Sequence, residues 1–203
     1  MTSARVYVID DDASTRTALT RQLAALGYEV QTYASAGEFL LHPPPDGPGC
    51  ILLDVCMPGP SGLELQEALS HRPASLPIVF LSGQADIAMS VQAMKAGAVD
   101  FLIKPVERKA LLEAITHAVA IGMRAQSERE RLREAREHYA ALTAREKEIF
   151  SLVVTGKLNK QIAFELGTAE RTVKAHRAQL MDKMRAGSIA ELCHFAEVLR
   201  SAS

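Results

Sequence analysis

The stretch VYVIDDDAST, residues 6–15, sets a short apolar run directly against three consecutive aspartates, Asp10, Asp11 and Asp12. Runs of this kind are the signature of strands buried on both faces. Finishing one in a block of like charge is unfavourable. Two carboxylates about 4 Å apart repel by roughly 4 kcal/mol at an effective dielectric near 20. A strand that ends this way needs cations at its tip, and the rest of the chain shows where they come from.

Four further apolar runs follow, at residues 29–33, 50–53, 78–81 and 99–103. Amphipathic segments of helical length lie between them, two of them opened by capping boxes, Ser35 with Glu38 and Ser61 with Glu64. Strands alternating with helices predict an α/β fold, a five-stranded parallel sheet with helices on both faces. Functional residues in such sheets gather at the carboxyl ends of the strands. Asp10, Asp11, Asp54, Ser82 and Lys104 all fall there.

The length of 203 residues suits one large domain or two small ones, with 48% hydrophobic and 23% charged residues, as in ordinary globular chains. No apolar run approaches the ~20 residues that span a bilayer. The N-terminus has no charged segment followed by an apolar one, so neither a membrane partner nor a secretory leader is expected. Cys50, Cys56 and Cys193 are odd in number and lack metal-ligand spacing, which points to reduced thiols and a cytoplasmic location. The net charge of -1 conceals an asymmetry. Residues 1–122 carry 8 Lys and Arg against 13 Asp and Glu, whereas residues 123–203 carry 15 against 11. The halves therefore suit different partners, with nucleic acid a candidate for the basic second half.

Between them, residues 125–139 read AQSERERLREAREHY, with opposite charges three or four apart, the pattern of a solvated linker helix. A domain at 1–122, a linker helix at 123–139 and a second domain at 140–203 follow. The second domain is all helical. Thr143 with Glu146 opens one helix, which Gly156 stops. A short helix from Asn159 closes at Gly167, Thr168 is placed to cap the next, and Ser188 with Glu191 caps the last. Four helices in so short a span form a small bundle around a tight helix-turn-helix.

Three carboxylates at one sheet end form an oxygen-rich site suited to Mg²⁺, and Lys104 adds a second positive charge. Such a site can bind a phosphoryl group while a carboxylate attacks phosphorus in line. VIDDD (8–12), ILLDVCMPGPSG (51–62), IVFLSG (78–83) and MKAGAVDFLIKP (94–105) together resemble the receiver domain of bacterial two-component response regulators. The resemblance implies a flavodoxin-like (βα)5 order, Asp54 as phosphoacceptor, and Lys104 on the phosphoryl group. It implies Mg²⁺ held by Asp11 directly, by Asp10 largely through water, by Asp54 and by the backbone carbonyl of Cys56, with Mn²⁺ or Ca²⁺ as substitutes. Ser82 and Phe101 become the switch pair, and Lys104-Pro105 a cis peptide. Cys56 departs from the long or basic residue common at its position, which leaves dephosphorylation kinetics open.

In the second half, LTAREKEIFSLVVTGKLNKQIAFELGTAERTVKAHRAQLMDKM (142–184) places Ile149, Leu152, Val153, Ile162, Ala163, Leu166, Val173 and Leu180 at core spacing. A basic set, Arg171, Lys174, His176, Arg177 and Lys183, is left for an exposed face of residues 169–184. Alanine packs against a thymine methyl and lysine reaches guanine O6 and N7. The stretch resembles the LuxR-type DNA-binding domain of the NarL/FixJ class. That implies major-groove reading by Lys174, Ala175 and Ala178, with Lys160, Arg171, Thr172, His176 and Arg177 helping to hold the domain on DNA. Including GTAERTVKAHR (167–177), the chain resembles regulators of the StyR/TodT/FixJ-like kind, of which the StyR/TodT regulators control aromatic-compound catabolism.

Together these imply a response regulator and transcription activator rather than an enzyme. Its implied partners are a sensor histidine kinase, promoter DNA and RNA polymerase, with a homodimer formed on phosphorylation. Two other readings stand beside it. A Mg²⁺-dependent aspartyl-phosphate hydrolase would carry a second acid/base carboxylate after its nucleophile, and DVCMPG has none. A scaffold using the basic bundle for protein contacts would lack steeply salt-dependent DNA binding.

Overall fold

The run at 6–9 joins Arg5 to form β1 (Arg5–Ile9). In this computed structural model, which describes residues 4–72, 75–83 and 86–201, β1 is hydrogen-bonded on both sides. Its fellow strands are β2 (Glu29–Tyr33), β3 (Gly49–Asp54), β4 (Ile78–Ser82) and β5 (Asp100–Ile103). Among the described residues they make one five-stranded parallel sheet of order β2-β1-β3-β4-β5. β3 and β4 are buried along their whole length, which is why they read as unbroken apolar runs. β2, EVQTY at the edge, buries only Tyr33.

Register aligns the strand ends. Ile9 sits beside Leu53, Asp54 beside Leu81, and Ser82 beside Ile103. From β1 the chain steps outward to β2 and then crosses to β3 on the other side. Asp10 and Asp54 therefore flank the point where strand order reverses, the usual ligand crevice of open α/β sheets.

Helices α1 (Ala13–Ala24) and the first part of α5 (Arg108–Ala140) cover one face, where Leu19, Leu23, Leu111 and Ile115 pack on Val8 and Leu52. Helices α2 (Ala36–Leu41), α3 (Gly62–Ser70) and α4 (Ile87–Lys95) cover the other, with Phe39, Leu65 and Ala93 against Ile51 and Phe80. Ser61 and Glu64 form the reciprocal capping box expected of them. Ser35 caps α2, but the Glu38 carboxylate accepts from Ala34 N–H, so that box is only half formed.

Residues 123–139 are helical, as part of α5, which begins at Arg108. Two compact units divide between Gln126 and Ser127. In the second, residues 127–140 of α5 are followed by α6 (Ala144–Val153), α7 (Asn159–Glu165), α8 (Glu170–Lys183) and α9 (Ile189–Arg200). Their core includes Ile149, Val153, Ile162, Val173, Leu180 and Leu192. Thr143 with Glu146 caps α6, and Ser188 caps α9.

One expected cap is corrected. Gly167 takes φ 60° and Thr168 N–H donates to Ala163 O at 2.9 Å, closing α7, and α8 begins one residue later than a Thr168 cap would require. The N-cap of α8 passes to Ala169, which makes no side-chain cap. Among the described residues no helix is long and apolar enough to cross a membrane.

Candidate functional site

The acidic pocket assembles around an ammonium supplied from far along the chain. Asp10 is fully buried and Asp54 is 6% exposed. Lys104 Nζ lies 2.6 Å from Asp10 Oδ2 and 2.9 Å from Asp54 Oδ2. The other oxygen of each carboxylate is also engaged: Asp10 Oδ1 accepts from Asp12 N–H at 2.9 Å, and Asp54 Oδ1 from Cys56 N–H at 3.2 Å. Burial holds the Asp10 carboxyl above its ordinary range despite these partners. Burial also works against charge on Lys104, yet its two carboxylates outweigh it and hold the ammonium above its ordinary value.

The three neighbouring aspartates occupy three environments. Asp10 is buried and fully bonded, and Asp11 is exposed. Asp12, also exposed, is the N-cap of α1, accepting from Ser14 N–H. The Ser14 hydroxyl, then the Thr15 hydroxyl and Ser14 N–H, bring the Asp12 carboxyl down to about 2.

One oxygen from each of Asp10, Asp11 and Asp54 can be chosen so that all lie within 4.8 Å of one another. Opposite ligands of an octahedral Mg²⁺ stand about 4.2 Å apart, so the hard-oxygen set fits such an ion with small adjustment. With every group ionised, three carboxylates and one ammonium leave two negative charges, matching a divalent cation.

Ser82 is fully buried, and its carbonyl accepts from Lys104 N–H at 2.7 Å. Lys104-Pro105 is cis. Phe101 is half-buried with its ring 6.2 Å from that of Phe80. The Cys56 side chain is exposed.

Two contributors escaped the sequence reading. Arg16, on α1, donates through Nη1 to the Asp10 carbonyl at 2.6 Å. Gly62 opens α3 against β3, where a Cβ would stand 2.3 Å from Asp54 O. Gly62 was visible in the PGPSG run as a glycine, but nothing there announced the backbone approach that requires it.

On α8 the expected basic face is narrower than predicted. Arg171 and Lys174 are exposed, as are Ala175 and Ala178, and Lys160 is exposed on α7. Thr172, His176 and Arg177 are half-buried. His176 Nδ1 is buried without a partner among the described residues, and Arg177 Nη1 bonds to Asn159 Oδ1. Lys183 Nζ meets both oxygens of Glu146, at 2.9 and 2.7 Å, so it ties α8 to α6 rather than facing outward freely. Lys174 pairs with Glu170 at 3.5 Å.

Comparison with known families agrees with both halves. Residues 6–116 match the response regulator receiver domain, and residues 140–196 match the bacterial regulatory proteins of the luxR family. Nodulation protein W of Bradyrhizobium diazoefficiens is 42% identical over 198 residues, covering 98% of this chain and 87% of that protein. Response regulator protein TodT of Pseudomonas putida is 40% identical over 195 residues, covering 96% and 86%. Among solved structures, the response regulator StyR superposes with a TM-score of 0.88 at 44% identity, covering 97% of this chain and 99% of that one. Full-length FixJ from B. japonicum gives a TM-score of 0.58 at 35% identity, covering 99% of each.

Proposed function

Since the chain belongs to the response regulators that join a receiver domain to a LuxR-type DNA-binding domain, we propose that phosphorylation of Asp54 controls its binding to promoter DNA. It is a transcription regulator, with an acidic phosphoacceptor site, and not a conventional enzyme.

The phosphoryl donor is the phosphohistidine of a sensor histidine kinase. A carboxylate oxygen of Asp54 attacks phosphorus, the P–N bond to the histidine breaks, and the imidazole leaves and takes up a proton. Asp11 would hold Mg²⁺ directly, joined by Asp54 and the Cys56 carbonyl, and Asp10 would act largely through water. This division is supported by Asp10 being wholly buried while Asp11 stands exposed. When bound, Mg²⁺, or Mn²⁺ or Ca²⁺ in its place, would supply charge neutralisation for the phosphoryl oxygens. Lys104 supplies the second positive charge, and the Ser82 hydroxyl bonds the product.

The output is a two-state shift in which Ser82 moves to the phosphoryl group and Phe101 turns inward. The phosphate must favour the active state by a few kcal/mol to be effective. The α4–β5 face then pairs two copies and presents two α8 helices to paired half-sites, where RNA polymerase is recruited in the cytoplasm. We assign residues 1–122 to the receiver, 123–139 to the linker and 140–203 to the DNA-binding domain. On α8, Lys174, Ala175 and Ala178 read bases. Lys160, Arg171, Thr172, His176 and Arg177 position the domain, Arg177 through its hold on Asn159 as much as through phosphate.

The observation that carries this reading is the Lys104 ammonium held between the two buried carboxylates at the reversal point of the sheet. The test is treatment of wild type and Asp54→Asn with acetyl phosphate, followed by intact mass, oligomeric state and promoter footprinting. Wild type should gain a phosphoryl adduct, dimerise and protect DNA, and Asp54→Asn should do none of these. Equal DNA affinity and oligomeric state with and without phosphate would sink the proposal.

A further inference from the structure

The outward face of α8 carries a side chain to which no role has been given. A helix turns about 100° per residue. On that wheel Val173, Leu180 and Met184 fall in one narrow sector, and all three are buried. The opposite sector holds Arg171, Ala175, Ala178, Gln179 and Asp182, all exposed. Asp182 is repelled by phosphates, so the part of the face suited to nucleic acid ends before it. The two alanines leave no side chain to hold the helix away from a base pair. Lys174 stands at the margin of the sector with its ammonium turned toward Glu170.

Gln179 lies one turn beyond Ala175 on the same face, and it is the sole side-chain amide on α8. Among the described residues nothing bonds that amide, so its acceptor and donors are both available. A neutral amide gains less from a phosphate than a cation does, whereas its paired carbonyl and NH₂ match the edge of adenine. We propose that Gln179 is a specificity-determining residue that reads an adenine in the major groove. Its carbonyl accepts from adenine N6–H₂ and its NH₂ donates to N7. Ala175 beside it packs on a thymine methyl, which makes the base pairs under this part of α8 A·T. The assignment rests on the DNA-binding reading above.

The experiment is site selection from a random duplex library with the full chain, treated with acetyl phosphate, as wild type, Gln179→Ala and Gln179→Glu. Wild type should select one adenine per half-site that Gln179→Ala no longer prefers, a loss of about tenfold or more in discrimination at that position. Gln179→Glu should turn the same position toward cytosine, whose N4–H₂ donates to a carboxylate. Affinity of Gln179→Ala for random duplex, and its salt dependence, should match wild type because no phosphate contact is removed. An identical selected motif from all three proteins would overturn the inference, as would an equal loss on random and selected DNA, which marks a backbone contact. Wild type that binds no duplex would overturn the DNA-binding reading itself, and Gln179's role with it. That result is distinct from bound DNA whose base preferences ignore residue 179.

Discussion

Substituting Lys183→Met tests how α8 is held in place. Both Glu146 oxygens accept from the Lys183 ammonium, and Oε2 also accepts from Thr143 N–H at 2.7 Å. The Glu146 side chain is 2% exposed and that of Lys183 35%. Methionine keeps most of the stem and removes the charge. A hydrogen bond to a charged group contributes about 1.5–3 kcal/mol, and orphaning one member of a fully buried pair costs about 3–5 kcal/mol. Water still reaches this ammonium, so screening places the expected loss near the lower range, about 2 kcal/mol at pH 7. The pH dependence separates this from lost packing. The Lys183 ammonium first, then Thr143 N–H, hold Glu146 below its ordinary value of 4.5. A carboxyl depressed in the folded state binds fewer protons there than in the unfolded chain. It therefore contributes stability above the unfolded value, which is lost as pH falls through the folded one. The variant lacks that contribution, so its deficit should shrink as pH drops below about 4.5. Native-state hydrogen exchange of α6 and α8 amides in the full chain reads both effects. Exchange should be roughly 30-fold faster in the variant at pH 7, from about 1.36 kcal/mol per tenfold, and the ratio should be smaller at pH 4 after correction for intrinsic rates. Equal protection at pH 7 would refute the energetic argument, and an unchanged ratio at pH 4 would refute its electrostatic part.

The three aspartates give a ranking. Asp11→Ala should weaken Mg²⁺ binding most and Asp12→Ala least, although the latter frays α1 by removing its cap; calorimetric titration showing equal losses would mean the roles are wrongly divided. Arg16→Ala removes the 2.6 Å bond to the Asp10 carbonyl and should lower Mg²⁺ affinity about tenfold, at the low end of a charged hydrogen bond. Arg16→Lys should recover part of this, and unchanged affinity in both would show that Arg16 does not hold the loop. Lys104→Met leaves two buried carboxylates without their cation, so protection of β1 and β3 amides should fall by about 3 kcal/mol. Mg²⁺ should restore protection more strongly in Lys104→Met than in wild type, and metal-independent exchange would count against the charge argument.

The sheet was legible because its central strands are buried on both faces and so leave unbroken apolar runs. Even β2 was readable, with Tyr33 as its single buried residue. The acidic pocket was legible because every member stands at a strand end, so topology alone brings the members together. Interactions between helices were not. The sequence shows four cations on residues 170–183, but not that Asn159, 18 positions back, engages Arg177, or that Glu146, 37 positions back, engages Lys183. Local chemistry also misled at Thr168. A threonine ahead of a helix favours an N-cap, yet α8 begins only at Glu170, so Ala169 holds the cap position and Thr168 lies one residue outside it.

The same limit explains why VIDDD cannot be ranked from composition. Three adjacent aspartates are chemically identical until the backbone leaves the sheet. Asp10 continues β1 and is carried inward, Asp11 turns out to solvent, and Asp12 begins a helix. Their roles also depend on one another. Asp12 N–H occupies one oxygen of Asp10, Lys104 occupies the other, and Arg16 from the helix that Asp12 caps returns to the Asp10 carbonyl. On the proposed reading, a phosphoryl group on Asp54 competes for the ammonium that Asp10 and Asp54 now share. Any retreat of Lys104 toward the phosphate exposes Asp10 to an uncompensated buried charge, a change transmitted through Asp12 to the start of α1. The arrangement therefore couples occupancy of Asp54 to the first turn of α1, and hydrogen exchange there should respond to acetyl phosphate in wild type and not in Asp54→Asn.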